Sequence, residues 1–355
     1  MRLTDTSHEI FLALSQDPAL RRRFLVLNEP IPGNMRFGIL LEQLDWLAAE
    51  TALEHARRVT PAAHVVTAAV DEIVVRHPAN ADHDIVCRAR LNRVGRTSME
   101  VGIRVETTEP CHIASCYFTM VARDGDTAEA HSIAVPPLEA ADELERHRVE
   151  RATQRQAAWR ARLAAASEPP SREEFDLLSA LHRAQEDDAF DGLLAGKLGI
   201  ESWERTYPEQ ENWSKVIFGG YIMRRAYELS SLCAERVAPR RPVIAAVNRV
   251  NFFHPVQIGD KLHITARAVY TEGPAICVET SIQRISRDRT ASALSNSCLF
   301  TFVNVRPEMT LEDVPPIHPA TYAEDARWLD ARRNLHALAA RMRGGWLGLA
   351  PARGA

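Results

Sequence analysis

Residues 116–121 read CYFTMV and residues 298–303 read CLFTFV, with four of six positions identical at an offset of 182. Two more blocks recur in the same order. AAVDEIVVRHP (68–78) matches AAVNRVNFFHP (245–255), with both His-Pro pairs in register at an offset of 177. The change of offset requires a few extra residues in the second half, which a surface loop can absorb. Upstream, MRFGILLEQLDWLAAETALEH (35–55) pairs with VIFGGYIMRRAYELSSLCAER (216–236), each placing Phe-Gly before an apolar-rich helical stretch. The 355 residues therefore contain a duplication, and domains of about 100–200 residues leave room for two cores.

Periodicity assigns structure to each copy. The stretch after each Phe-Gly carries Leu, Ile, Met and Ala round most of its circumference, the pattern of a helix buried on nearly all sides. DIVCRARLNRV, SMEVGIRVE and CYFTMVA in the first copy alternate apolar with polar residues, as do KLHITARAVY, AICVETSIQRI and CLFTFVNV in the second. That alternation belongs to half-buried antiparallel strands. A buried helix followed by an antiparallel sheet that curls around it is an α+β hotdog, and the chain reads as a tandem double hotdog. The expected organisation is an N-terminal extension (1–33), hotdog 1 (34–126), a helical linker (127–205), hotdog 2 (206–306) and a C-terminal extension (307–355). Within the linker, the charged, Ala-rich 139–166 reads as a solvated surface helix rather than a coiled-coil site. A helix is also expected at 322–343, in a peripheral tail.

Composition excludes several classes. Charged residues make up 25% and hydrophobic ones 46%, an ordinary globular balance, and the net charge of −4 argues against general nucleic-acid binding. No apolar run approaches the roughly 20 residues needed to span a bilayer. The N-terminus mixes acids with apolar residues ahead of its Arg cluster, unlike a secretory signal, so a cytoplasmic protein is the default expectation. The six cysteines (Cys87, Cys111, Cys116, Cys233, Cys277, Cys298) form no CxxC pair and read as buried or half-buried thiols, and no metal site is expected. HExxH, GxSxG, P-loop and GxGxxG motifs are all missing.

The runs NWSKVIFGGYIMRRAYEL (212–229), VNFFHPVQIGDKLHITARAVY (250–270), RFGILLEQLDWLA (36–48) and VGRTSMEVGIRV (94–105) resemble the double-hotdog acyl-CoA thioesterases, particularly their mitochondrial-type branch. The resemblance covers roughly 34–124 and 206–306. It implies hydrolysis of acyl-CoA to a free acid and CoA, within lipid metabolism, by a carboxylate on the helix of one hotdog and an Asn before the helix of the other. The carboxylate falls on Asp45, seven residues after Gly38, and the Asn on Asn212, seven before Gly219. The opposite copies place Tyr227 and an apolar stretch near Ile31 at these positions, so one composite site per chain is expected. The resemblance further implies a homo-oligomer, a trimer of double-hotdog units, and no cofactor, coenzyme A being part of the substrate.

The residues support the same choice by their chemistry. Asp45 sits between Leu44 and Trp46 in an apolar helix, where an Asp is costly to bury without a purpose. A general base with a pKa raised by desolvation is that purpose, and an exposed or loop-capping Asp is the plain alternative. Gly219 and Gly220 open the second helix, where free amides and the helix dipole suit an oxyanion; tight packing alone would also explain two glycines. Asn212 could orient water or a thioester carbonyl, or simply make a turn. GRTSM (95–99) offers Arg96, Thr97 and Ser98 in a tight strand connection as a candidate CoA contact, resembling a Gly-x-Ser-Ser segment with Thr in place of the first Ser. Arg224 and Arg225 are further candidates, though exposed helix charges are usually solvated. Two other functions compete: an acyl-thioester dehydratase or hydratase using His77 or His254, and a non-catalytic acyl-CoA-binding hotdog.

Overall fold

The computed structural model describes residues 2–26, 33–109, 111–125, 130–165, 168–212, 216–238 and 242–341. Ile31 lies outside them. In chain order the strands and helices are β1 (His8–Leu12), α1 (Pro18–Phe24), α2 (Phe37–Ala56), β2 (His64–Val75), β3 (Ile85–Val94), β4 (Ser98–Thr107), β5 (His112–Asp124), β6 (His131–Ser132), α3 (Glu143–Ala165), α4 (Arg172–Ala184), β7 (Leu193–Leu194), β8 (Gly199–Arg205), α5 (Gly219–Ala234), β9 (Val243–Phe252), β10 (Lys261–Glu272), β11 (Ala275–Ile285), β12 (Ser292–Val303), β13 (Ile317–His318) and α6 (Tyr322–Arg341).

One sheet carries both copies in the order β1-β3-β4-β5-β2-β9-β12-β11-β10-β8, with β6 added beside β5. The order is a palindrome of equivalent strands, and the copies meet where β2 pairs antiparallel with β9, Val70 opposite Val250 and Ile73 opposite Val247. The alternation read from the sequence is real: along β5, Cys116, Phe118, Met120 and Ala122 are buried and Tyr117, Thr119 and Val121 between them are not. The buried face wraps α2 and α5, which pack against each other. Each copy is thus a helix held in a curled antiparallel sheet, the double hotdog expected from periodicity.

The sheet extends further than the repeated blocks. β1 pairs with β3 and β8 with β10, so the copies begin at His8 and Gly199, inside the stretches read as extension and linker. These edge strands contain none of the recurring blocks, which is why the repeat did not reveal them. The helix after each copy is also equivalent: α3 lies on β3, and α6 on β10 and β11. α3 is more than a solvated connector, for Ala152 is fully buried and Arg155 reaches Glu100 and lies 3.7 Å over the Tyr117 ring. The tail is likewise structural: Trp328, Leu335 and Leu338 form a second core with Val269, Tyr270, Leu299 and Val303 on the outer face of the second copy's strands.

The two central helices differ. In α2 fifteen of twenty residues are buried, as expected. In α5 only seven of sixteen are buried, because one flank holds Arg224, paired with Glu42 and Glu228, and Arg225, paired with Glu204 and Glu228. Those two arginines are committed to carboxylates rather than waiting for phosphates. All cysteines except Cys111 are buried, and Cys111 is half-buried.

Candidate active site

Asp45 occupies the middle of α2 with 0% exposure. Its Oδ1 accepts a hydrogen bond of 2.7 Å from Thr67 Oγ1 on β2. Its Oδ2 has no partner of full hydrogen-bond geometry among the described residues, and the carboxyl interacts with the amide of Gly220 at the start of α5. Burial pushes the carboxyl pKa up to about 7, and the nearby Glu42 charge adds to the rise, while the Thr67 hydroxyl and the Gly220 amide draw it partly back. A carboxyl balanced at neutral pH can exist in both forms under working conditions, as a general base requires.

Gly219 and Gly220 are glycines for different reasons. A Cβ on Gly219 would stand 3.1 Å from Asp45 Oδ2 and 3.4 Å from the Phe252 ring, so the bare backbone lets α5 approach the carboxylate. A Cβ on Gly220 would meet the Glu42 backbone at 3.0 Å, so this residue permits the two central helices to touch. The packing explanation therefore holds for Gly220, with its amide also turned to Asp45. Phe218, the N-cap of α5, offers no side-chain cap, which leaves the first amides of the helix open to a ligand.

Gly219 and Thr67 line a cavity of about 260 Å3, together with Asn212, Phe252, His254 and Arg123. Asn212 bonds to Val216, its amide donating to Val216 O at 2.8 Å and its Oδ1 accepting from Val216 N at 3.4 Å, and the residue also lines the cavity. Phe252, Ile222 and Val65 give the cavity apolar walls. Thr67 of the first copy and Asn212 and Gly219 of the second line this cavity together; Asp45, bonded to Thr67 and close to Gly219 and Gly220, is not itself in the lining, nor is Gly220.

Arg96, Thr97 and Ser98 do not line this cavity. They form the β3–β4 turn, closed by the Gly95 amide donating to Ser98 O at 2.7 Å, and Thr97 O accepts from Ala122 N at 2.9 Å. The guanidinium that does reach the cavity wall is that of Arg123, the next residue along β5, whose Nε has no partner among the described residues. Sequence reading missed Arg123, for which no local signal exists, and Thr67, for which one does: it stands one position ahead of the AAV block, where the second copy has Ile244. His77 and His254 follow the ends of β2 and β9 rather than entering strands, and His254 is held by its ring to Leu294 O at 2.9 Å.

The equivalent position on the other side of the helix pair is occupied differently. Gly38 faces Tyr227 and Arg224 as Gly220 faces Asp45 and Glu42, so the helices correspond at an offset of 182 and Tyr227 stands in the place of Asp45. A larger cavity, about 410 Å3, lies there with Tyr227 and Ile244 in its lining. Neither residue can take up a proton as a carboxylate does. No cluster of His, Cys, Asp and Glu suited to a metal occurs among the described residues, and no described helix is long and apolar enough to cross a membrane.

Comparison with known proteins places this tandem hotdog among the thioesterases. The thioesterase superfamily model matches twice, at residues 33–110 and 214–291. The chain is 31% identical to acyl-coenzyme A thioesterase 2, chloroplastic, of Humulus lupulus, over 83% of this chain and 73% of that one. It is 26% identical to the human acyl-coenzyme A thioesterase 9, mitochondrial, over 95% of this chain and 78% of that one. An acyl-ACP thioesterase from Bacteroides thetaiotaomicron shares the fold at a TM-score of 0.51 and 9% identity, over 85% of this chain and all of that one. The chain belongs to the double-hotdog acyl-CoA thioesterase family and is a thioester hydrolase. The cytoplasmic expectation is overturned by the relatives, since the human, bovine and mouse proteins are named mitochondrial. Composition of folded domains does not carry an address, because short targeting segments do.

Proposed function

We propose that the chain hydrolyses acyl-CoA thioesters with a water activated by Asp45. The observation that carries this reading is the fully buried Asp45 with its pKa raised to about 7, set against open amides at the start of α5. The acyl chain lies along the apolar wall of Phe252, Ile222 and Val65, with the thioester carbonyl over Gly219. Asp45 removes a proton from water as its oxygen attacks the carbonyl carbon. The resulting oxyanion is stabilised by the amide of Gly219, helped by the dipole of α5, while Gly220 holds the base in place. Collapse breaks the carbon–sulfur bond, and the proton taken up by Asp45 returns to the departing thiolate of CoA. Asn212 orients the carbonyl from the rim.

Arg123 is the cation for the CoA phosphates in this reading, with Arg96 and its neighbours Thr97 and Ser98 further along the same edge. A trimer of chains belongs to the proposal through family resemblance, and sedimentation at the mass of one chain would remove that part.

Release of free thiol from acyl-CoA tests the whole. Loss of release in Asp45→Asn, with acyl-CoA binding retained, is the expected result. Undiminished release would reject Asp45 as the base, and hydration of enoyl-CoA without thiol release would instead favour a hydratase. Binding of acyl-CoA with neither reaction would identify a non-catalytic binding protein.

A further inference from the structure

A further cavity, of about 380 Å3, lies on the outer face of the first copy's strands, away from the helix that carries Asp45. Its floor is the outward side of β3, β4 and β5, its roof is α3, and Ser7–Glu9 closes one end. The strand alternation that turns Ala89, Leu91, Ile103 and Cys116 to the core turns Arg90, Asn92, Gly102, Ser115 and Tyr117 into this space. Gly102 keeps the floor low: a Cβ there would lie 2.2 Å from Asn92 Nδ2.

The charge of the lining runs against that of the chain. Net charge overall is −4, yet six arginines line the cavity beside a single carboxylate, Glu9. Three of the six are neutralised: Arg88 by Glu9 and Glu106, Arg104 by Glu106, and Arg155 by Glu100. Arg90, Arg148 and Arg151 have no ion pair among the described residues. Burial alone, with no carboxylate to offset it, draws the Arg148 pKa below its ordinary value. Arg148 and Arg151 stand one turn apart on α3 and share a face with Arg155, so the helix presents two uncompensated guanidiniums opposite the one on β3. Like charges gathered in a half-enclosed space repel, and fork-shaped guanidiniums fit phosphate oxygens two at a time.

We propose that this cavity binds a compact polyphosphate, with a pyrophosphate group held between Arg90 on the sheet and Arg148 and Arg151 on α3. The site is separate from the thioester site, which lies across the sheet, and does not depend on how that site works. Free pyrophosphate and the diphosphate of a nucleotide share the chemistry.

The test is calorimetric titration of the full chain with inorganic pyrophosphate and, separately, with ADP at low ionic strength. A saturable site is expected, weakened by about tenfold or more in Arg148→Gln/Arg151→Gln, since each charge-assisted contact contributes about a tenfold factor. It should be unchanged in Arg123→Ala, where the cation of the thioester site is removed. Tighter binding of ADP than of pyrophosphate assigns a nucleotide ligand, and equal binding assigns the pyrophosphate group alone. Thiol release and melting temperature of the double variant verify its fold, and Arg151→Gln, at an exposed position, serves if the double variant is unstable. The proposal is overturned by no saturable binding of either probe, by full retention in the arginine variants, or by loss in Arg123→Ala instead.

Discussion

Thr67 Oγ1 donates to Asp45 Oδ1 across 2.7 Å, tying the first strand after α2 to the middle of that helix. The bond favours the ionised carboxylate, and it works against the desolvation that raises the pKa to about 7. The rate kcat/KM is therefore expected to rise with pH through a single ionisation near 7. Thr67→Val, which removes the donor at nearly constant volume, should move that inflection upward. A pH–rate profile of the two proteins checks both statements; an inflection that stays in place would separate Thr67 from the base.

Replacement of the base itself has opposite effects on rate and stability. Asp45→Asn is expected to lower kcat by about 10²–10⁴-fold, the usual worth of a general base. The folded-state pKa lies above that of an unfolded Asp, so between pH 4 and 7 the folded chain binds the extra proton and stability falls as pH rises. The ionised carboxylate is thus a burden above pH 7. Asp45→Asn should accordingly raise the melting temperature at pH 8 and make little difference at pH 4, measured by thermal denaturation of both proteins.

The two glycines at the start of α5 should separate chemistry from packing. Gly219→Ala puts a methyl 3.1 Å from Asp45 Oδ2 and should reduce kcat by at least tenfold with a modest change in melting temperature. Gly220→Ala drives a methyl against the Glu42 backbone and should cost about 1–3 kcal/mol of stability, the range for overpacking. Turnover and denaturant unfolding of each variant decide the matter, and equal effects on both would show that the glycines have one role.

In the proposed reading Arg123 and Arg96 are the two candidate cations for the CoA phosphates. Removing a guanidinium that binds phosphate equally in ground and transition states raises KM and leaves kcat alone. Arg123→Ala is expected to raise KM for acyl-CoA about tenfold, the cost of one charge-assisted contact, and Arg96→Ala to change it less. Steady-state kinetics with one acyl-CoA compares them; a larger effect at Arg96 would move the phosphate site to the β3–β4 turn.

Much of this arrangement is legible in the chain. Asp45 stands out because a carboxylate between Leu44 and Trp46 in a helix with fifteen buried residues is costly wherever that helix is packed. Tyr227 was identifiable as its counterpart from the repeat, and the helix contacts at Gly38 and Gly220 give the same register. Arg123 was not legible, because nothing along β5 distinguishes it from other strand-end arginines. Arg96 looked more suitable in its turn, but a turn's place relative to a cavity depends on how far the sheet curls. The edge strands β1 and β8 escaped for a similar reason: a short strand is identified by its neighbour, and those neighbours lie far along the chain, in the registers His8 with Ala89 for β1 and Arg205 with Lys261 for β8.

By itself the sequence determined the duplication, the order of helix before sheet, and the residues that face inward along each strand, because those follow from spacing between near neighbours. Tertiary structure alone decided that Thr67 meets Asp45, that Gly219 rather than Gly220 opens toward the cavity, and that three arginines from β3 and α3 share one space without an ion-pair partner among the described residues. Each of these depends on how separate elements pack, and close packing fixes contacts to within a few tenths of an ångström that no local pattern encodes.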